Sequence, residues 1–169
     1  MTPLPSRRRD PSPDSSISRR TVLRGSAVVG VAVAAGWSLS ACETGPSQRQ
    51  RDAEALLPHA QAAFRDQAAA QQLAPRSTEY AKALRTVSDQ RGEHLKALRD
   101  EINRLHSSIA DQIESPATTP TASVEALGKQ IESSATAAGK TAVGSSGYVA
   151  GLLGSVSASC QTLAKVQLA

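Results

Sequence analysis

Two groups of residues in this 169-residue chain are of types that do chemistry. The first is Leu39-Ser40-Ala41-Cys42, where a thiol follows two small residues and a leucine and is itself followed by Glu43, Thr44, Gly45 and Pro46. A thiol is the nucleophilic side chain that forms a stable thioether, and small residues at 40 and 41 let the backbone lie in a peptidase cleft. The second group is Asp89-Gln90-Arg91-Gly92-Glu93-His94, which places a guanidinium and an imidazole one helical turn apart. Such a pair at an apolar face requires partners, and acidic residues upstream, Glu54 or Asp66, are the candidates.

Other chemistry finds no footing. The histidines are His59, His94 and His106, and three residues before them stand Leu56, Arg91 and Asn103. No Glu-x-x-His pair exists, so the ligand pattern of a di-iron bundle is missing and no metal site is expected. His59 follows Glu54, and His106 follows Glu101, by five residues, which turns each pair away from a shared helix face. There is no Gly-x-Ser-x-Gly elbow, Walker loop, Cys-x-x-Cys or His-Glu-x-x-His. Gly144-Ser145-Ser146-Gly147 reads as a turn, and Phe64, Tyr80 and Tyr148 are too scattered to form a stacking platform for sugars. No cofactor is expected. Cys160 lies on an apolar helix face as a small buried hydrophobe, and if Cys42 is a thioether it has no partner for a disulfide.

Charge divides the chain at the first of these groups. The formal net charge is +4, and residues 1–41 hold Arg7, Arg8, Arg9, Arg19, Arg20 and Arg24 against Asp10 and Asp14. The thirteen basic and thirteen acidic residues from 42 onward cancel. Once the front piece is removed, the electrostatic basis for binding nucleic acid is gone, and no such partner is expected. Gly25 to Ser40 carries no charge, and Ala27 to Ala35 is only valine, alanine and glycine. That run is short and weakly apolar for a membrane span of about 20 residues, and suits the apolar region of a cleaved signal peptide.

Three resemblances follow from these residues. Ser18-Arg19-Arg20-Thr21-Val22-Leu23-Arg24 resembles the twin-arginine signal, with both hydrophobic positions filled and Arg24 where lysine is usual. The resemblance implies export of an already folded chain by a bacterial cell. Leu39-Ser40-Ala41-Cys42 resembles the bacterial lipobox at all four positions. It implies that Cys42 receives a diacylglyceryl group, carrying palmitate-type chains, and becomes the first residue of a mature protein on the outer face of the cytoplasmic membrane. Each buried methylene contributes about 0.8 kcal/mol, so two acyl chains hold far better than one. Finally, Leu56-Leu57-Pro58, then Ala81-x-x-Leu84-x-x-Val87 and Arg91-x-x-His94-x-x-Ala97-Leu98-x-x-Glu101-Ile102, are similar to ferritin-like helical domains of unknown function in actinobacterial envelope proteins. This likeness covers about residues 52–105, implies a fold rather than an activity, and lacks the metal ligands of ferritin-type oxidation.

The elements that must position these residues are helical. The expected organisation is a signal peptide at 1–41, a lipidated cysteine and tether at 42–51, and an all-α bundle at 52–169. Alanine, leucine, glutamine, arginine and glutamate dominate. A first helix is expected over 52–73, with Ala53, Leu56, Leu57, Ala60, Ala63, Phe64, Gln67 and Ala70 as its stripe. Pro58 either opens that helix near Leu57 or kinks a longer one. A second is expected over 76–113, with Tyr80, Leu84, Val87, Arg91, Leu95, Leu98, Ile102, Leu105, Ile109 and Ile113 at steps of three and four, and Gly92 as a weak point. After the loop at 115–123, with caps at Thr119 or Thr121, come a third helix from Val124 to about Ala142 and a fourth over about 148–167. The fourth carries Val149, Leu152, Leu153, Val156, Cys160, Leu163 and Val166 on one face. About four amphipathic helices with short loops predict an antiparallel, ferritin-like bundle, with its glycine-rich second half looser than the first. The expected function is a non-catalytic binding or scaffolding module of the envelope, held to the membrane and facing a protein or lipid partner. The alternatives are a ferritin-like metal-binding protein or oxidase, and a carrier of an apolar ligand.

Overall fold

In the computed structural model, the described residues are 45–113, 121 and 123–169. Arg19, Arg20 and the segment Leu39 to Cys42 lie outside them. The chain divides into two units, Met1–Ala41 and Cys42–Ala169, and every described residue belongs to the second.

Among the described residues the regular elements are all helical. They are α1 (Gln48–Leu73), a 3-10 turn (Thr78–Tyr80), α2 (Ala81–Leu105), a single turn α3 (Ser107–Ala110), α4 (Val124–Val143), α5 (Gly147–Thr162) and a wide π-type turn (Leu163–Gln167). α1 starts at Gln48, so residues 48–51, expected in the tether, form its first turn. Ser47 is the reason: in extended backbone its Oγ accepts from the Gln50 N–H, which satisfies one of the free donors of a helix start. The helix runs on through Pro58, which is exposed. The start near Leu57 is thereby corrected to a longer helix, in which Pro58 leaves one helical carbonyl without its N–H donor.

α2 is shorter than its apolar pattern. Pro75 and the 3-10 turn delay its start, and His106, in extended backbone, ends it. Ser107, Ser108 and Asn103 surround this break, and the Ser108 hydroxyl lies 3.0 Å from His106 Nδ1. Short polar side chains of this kind compete with helical hydrogen bonds. Ile109 and Ile113 remain buried beyond the break, which is why their three-and-four spacing reads as one continuous helix. α4 starts where expected, but its cap is Ser123, whose Oγ accepts from Ala126 N–H, in place of Thr119 or Thr121.

Cross-helix contacts give the directions. α1 meets α2 at Arg49–Arg104 and at Asp66–Arg91, so the two are antiparallel. α1 meets α4 at His59–Thr141 and Asp66–Gln130, again antiparallel. α2 meets α5 at Gln90–Ser159 and Arg91–Cys160, with Tyr148 beside Arg104. α5 therefore runs against α2 and against α4, and the order is up, down, down, up. The connection from Leu105 to Val124 must then cross from one end of the bundle to the other, and the Gln112 carbonyl, bonded by Gln61 Nε2, lies beside the middle of α1. One long crossover takes the place of the short loop expected there.

The core is built from small and branched residues, among them Ala53, Leu56, Ala60 and Ala70 on α1 and Leu84, Val87, Leu98 and Ile102 on α2. Leu127, Ile131, Ala135 and Ala138 of α4 face Val149, Leu153, Val156 and Cys160 of α5. A Cβ on Gly139 would stand 3.0 Å from Ser157 Oγ, so glycine lets α4 and α5 approach closely. Gly92 is likewise a close approach, since a Cβ there would meet Gln67 Nε2 at 2.7 Å. Val166, expected on the apolar face, is exposed. The wide turn at Leu163–Gln167 shifts the register and buries Leu168 instead.

Candidate functional site

Midway along the bundle the four long helices contribute one polar layer. Asp66 sits three residues after Ala63 and four before Ala70, so the helical repeat of α1 turns its carboxylate inward. Arg91 holds the equivalent inward position on α2. Asp66 Oδ2 and Arg91 Nη2 lie 2.8 Å apart, with the two side chains 0% and 1% exposed. α4 adds Gln130 and Ser134, each three residues beyond a buried Leu127 or Ile131. Gln130 Nε2 donates to Asp66 Oδ1 at 2.5 Å and Ser134 Oγ to Oδ2 at 3.1 Å. Three donors therefore surround one buried carboxylate, as burial of a charge requires.

On the other side of the guanidinium, Arg91 Nη1 donates to His94 Nδ1 at 3.1 Å and to Cys160 Sγ at 3.0 Å. Arginine only donates, so Nδ1 of His94 is an acceptor and its ring proton lies on Nε2. Burial, reinforced by the Arg91 charge, lowers the His94 pKa to about 4. Burial pushes the Cys160 thiol up, with Arg91 opposing and Asp66 adding to the rise. His59, buried nearer the start of α1, has its pKa lowered by burial and then by Arg91, and its Nε2 lies 3.0 Å from Thr141 Oγ1. The Thr141 hydroxyl also lies 3.1 Å from the Ala137 carbonyl. Among the described residues, Arg91 Nε is buried without a hydrogen-bond partner.

The arrangement holds one positive and one negative charge with neutral groups around them. The Nδ1 atom of His94 and the Sγ atom of Cys160 are both taken up by hydrogen bonds from the Arg91 guanidinium. Among the described residues, no group of three or more His, Cys, Asp or Glu side chains is placed to hold a metal ion.

The structure brings Arg91 and His94 together and supplies Asp66 as the acidic partner. Glu54, the other candidate, is exposed and accepts from Gln50. Sequence reasoning did not find Gln130, Ser134 or the contact between Arg91 and Cys160. The available signal was polar residues flanking apolar stripe positions at helical spacing. Glu101 was also missed as a buried group; it is 5% exposed and held by two hydrogen bonds from Arg104.

Residues 16–36 match the model of the TAT (twin-arginine translocation) pathway signal sequence. The match includes Arg19 and Arg20, ends just before Leu39, and implies export across the cytoplasmic membrane. No curated protein and no solved structure matches the chain. Among the described residues, no helix is long and apolar enough to cross a membrane.

Proposed function

We propose that the protein is an exported lipoprotein, cut before Cys42 and held on the outer face of the cytoplasmic membrane by diacylglycerol on that thiol. Its bundle acts there as a binding or scaffolding module of the envelope, without turnover. The observation that carries this reading is Leu39-Ser40-Ala41-Cys42, three residues beyond the matched export signal. What supports a non-catalytic role is the central layer: its carboxylate is fully bonded, its imidazole is neutral, and its charges are closed to solvent. The proposed ferritin-like architecture draws support from the up-down-down-up order with one long crossover, an arrangement that ferritin-like folds also use.

Cys42→Ala is expected to release the protein from membranes or leave the precursor uncut; normal processing with full membrane retention overturns the anchoring. Metal analysis of protein purified from exporting cells tests the remainder. Stoichiometric iron or manganese would favour the ferritin-like metal protein over the scaffold.

A further inference from the structure

Three large apolar side chains are exposed among the described residues: Val143 at 90%, Tyr148 at 65% and Val166 at 68%. Val143 closes α4 and Tyr148 lies in the first turn of α5, so both stand at the end of the bundle where α1 begins. Val166 stands at the opposite end, where Leu168 reaches Gly128 near the start of α4. Tyr148 shares an open groove with Glu93, Lys96, Asp100, Glu101 and Arg104, and Arg49 Nη2 donates to the Arg104 carbonyl at 2.6 Å. Arg104 thus stands between the groove of Tyr148 and the first turn of α1. The outermost turns at this end carry Arg49, Arg51, Arg104 and Lys140 against Asp52 and Glu101, and Glu101 holds Arg104 in an ion pair.

Chain length says what lies opposite. Ser47 is five residues beyond Cys42, a reach of about 18 Å at most. The far end of α1, 26 residues long, is about 40 Å further away. An acyl anchor on Cys42 holds this end of the bundle within that reach of the bilayer surface.

We infer that this end is a seating face for an anionic bilayer. Tyr148 and Val143 enter the headgroup region, where amphipathic aromatic rings are favoured, and Arg49 and Lys140 meet lipid phosphates. The acyl chains fix the protein to the membrane; the seating face fixes its orientation. The inference rests on the anchoring at Cys42.

Trp37 precedes Cys42, so the cleaved protein contains no tryptophan and accepts single probes. Full chains bearing Val143→Trp, Tyr148→Trp or Val166→Trp are exported and processed in cells, purified lipidated, and placed in vesicles containing quencher-labelled lipid. With phosphatidylglycerol present, probes at 143 and 148 are expected to be quenched several-fold more than the probe at 166. The difference should shrink in phosphatidylcholine alone or at high salt. Equal quenching at all three sites, or none at any, overturns the seating face. Shielding of the 148 probe in intact cells without quenching in vesicles also overturns it, and gives the face to a protein partner. Membrane retention compared with Cys42→Ala is read separately. If anchoring fails, both readings fall; if anchoring holds and quenching is even, only the seating face falls.

Discussion

The α1–α2 hairpin carries both charges of the central layer, Asp66 and Arg91, whereas the α4–α5 hairpin meets them with the neutral groups of Gln130, Ser134 and Cys160. The two hairpins also differ in composition. The first is long and rich in arginine and glutamine; the second is shorter and holds Gly128, Gly139, Gly151 and Gly154 within its helices. Contacts between alanine and leucine tolerate sliding, but a buried carboxylate with three donors is satisfied at one register only. The first hairpin thus creates an electrostatic requirement, and the second meets it by docking in a single position.

The comparison breaks most sharply at the charge. Asp66→Ala leaves Arg91 buried without its counter-ion and is expected to cost about 3–5 kcal/mol in urea unfolding. Asp66→Leu combined with Arg91→Met removes both charges and is expected to be near neutral or stabilising; a loss as large as that of the single variant would mean the layer contributes more than charge balance.

Acid tests the same layer through His94. Its folded pKa, about 4, lies below the ordinary value of 6.5, so its contribution is complete above pH 6.5. That contribution is lost as pH falls from about 6.5 to about 4 and is level below that range. The loss is on the order of 2 kcal/mol, reduced by the partial exposure of the ring, and His59 acts in the same direction. Thermal unfolding of His94→Gln should show a shallower decline over this window, and an unchanged slope would remove His94 from the account.

The contribution of the second hairpin is read by Gln130→Ala, which deprives Asp66 Oδ1 of its donor. A loss of about 1–2 kcal/mol is expected, smaller than for Asp66→Ala because the ion pair survives. The smallest effect concerns composition. A Cβ at Gly154 meets nothing within 4 Å, so Gly154→Ala should stabilise by about 0.5–1 kcal/mol, measured by calorimetry. At Gly139 the same change presses on Ser157 Oγ and should gain less.

Much of this was legible along the chain. Apolar steps of three and four gave the four long helices, and the inward phase of Arg91 required an acidic partner that Asp66 provides. Local chemistry set the boundaries that were misread: Ser47 extends α1 backward, and His106 with its serines cuts α2 short. The register change near Leu163 was invisible because a wide turn leaves the apolar composition unchanged while turning Val166 outward. Gln130 and Ser134 read as ordinary surface polar residues, since their role depends on a carboxylate 64 and 68 positions away.

The sequence by itself determined the export signal, the charge division before Cys42, the helical class and the inward face of each helix, because these depend on residue types and short-range spacing. Only the tertiary structure decided that α2 and α4 run the same way, that the charge pair is completed by the other hairpin, and that Val143 and Tyr148 share an end with the start of α1. Those facts join residues far apart in the chain, and local propensity carries no information about such distances.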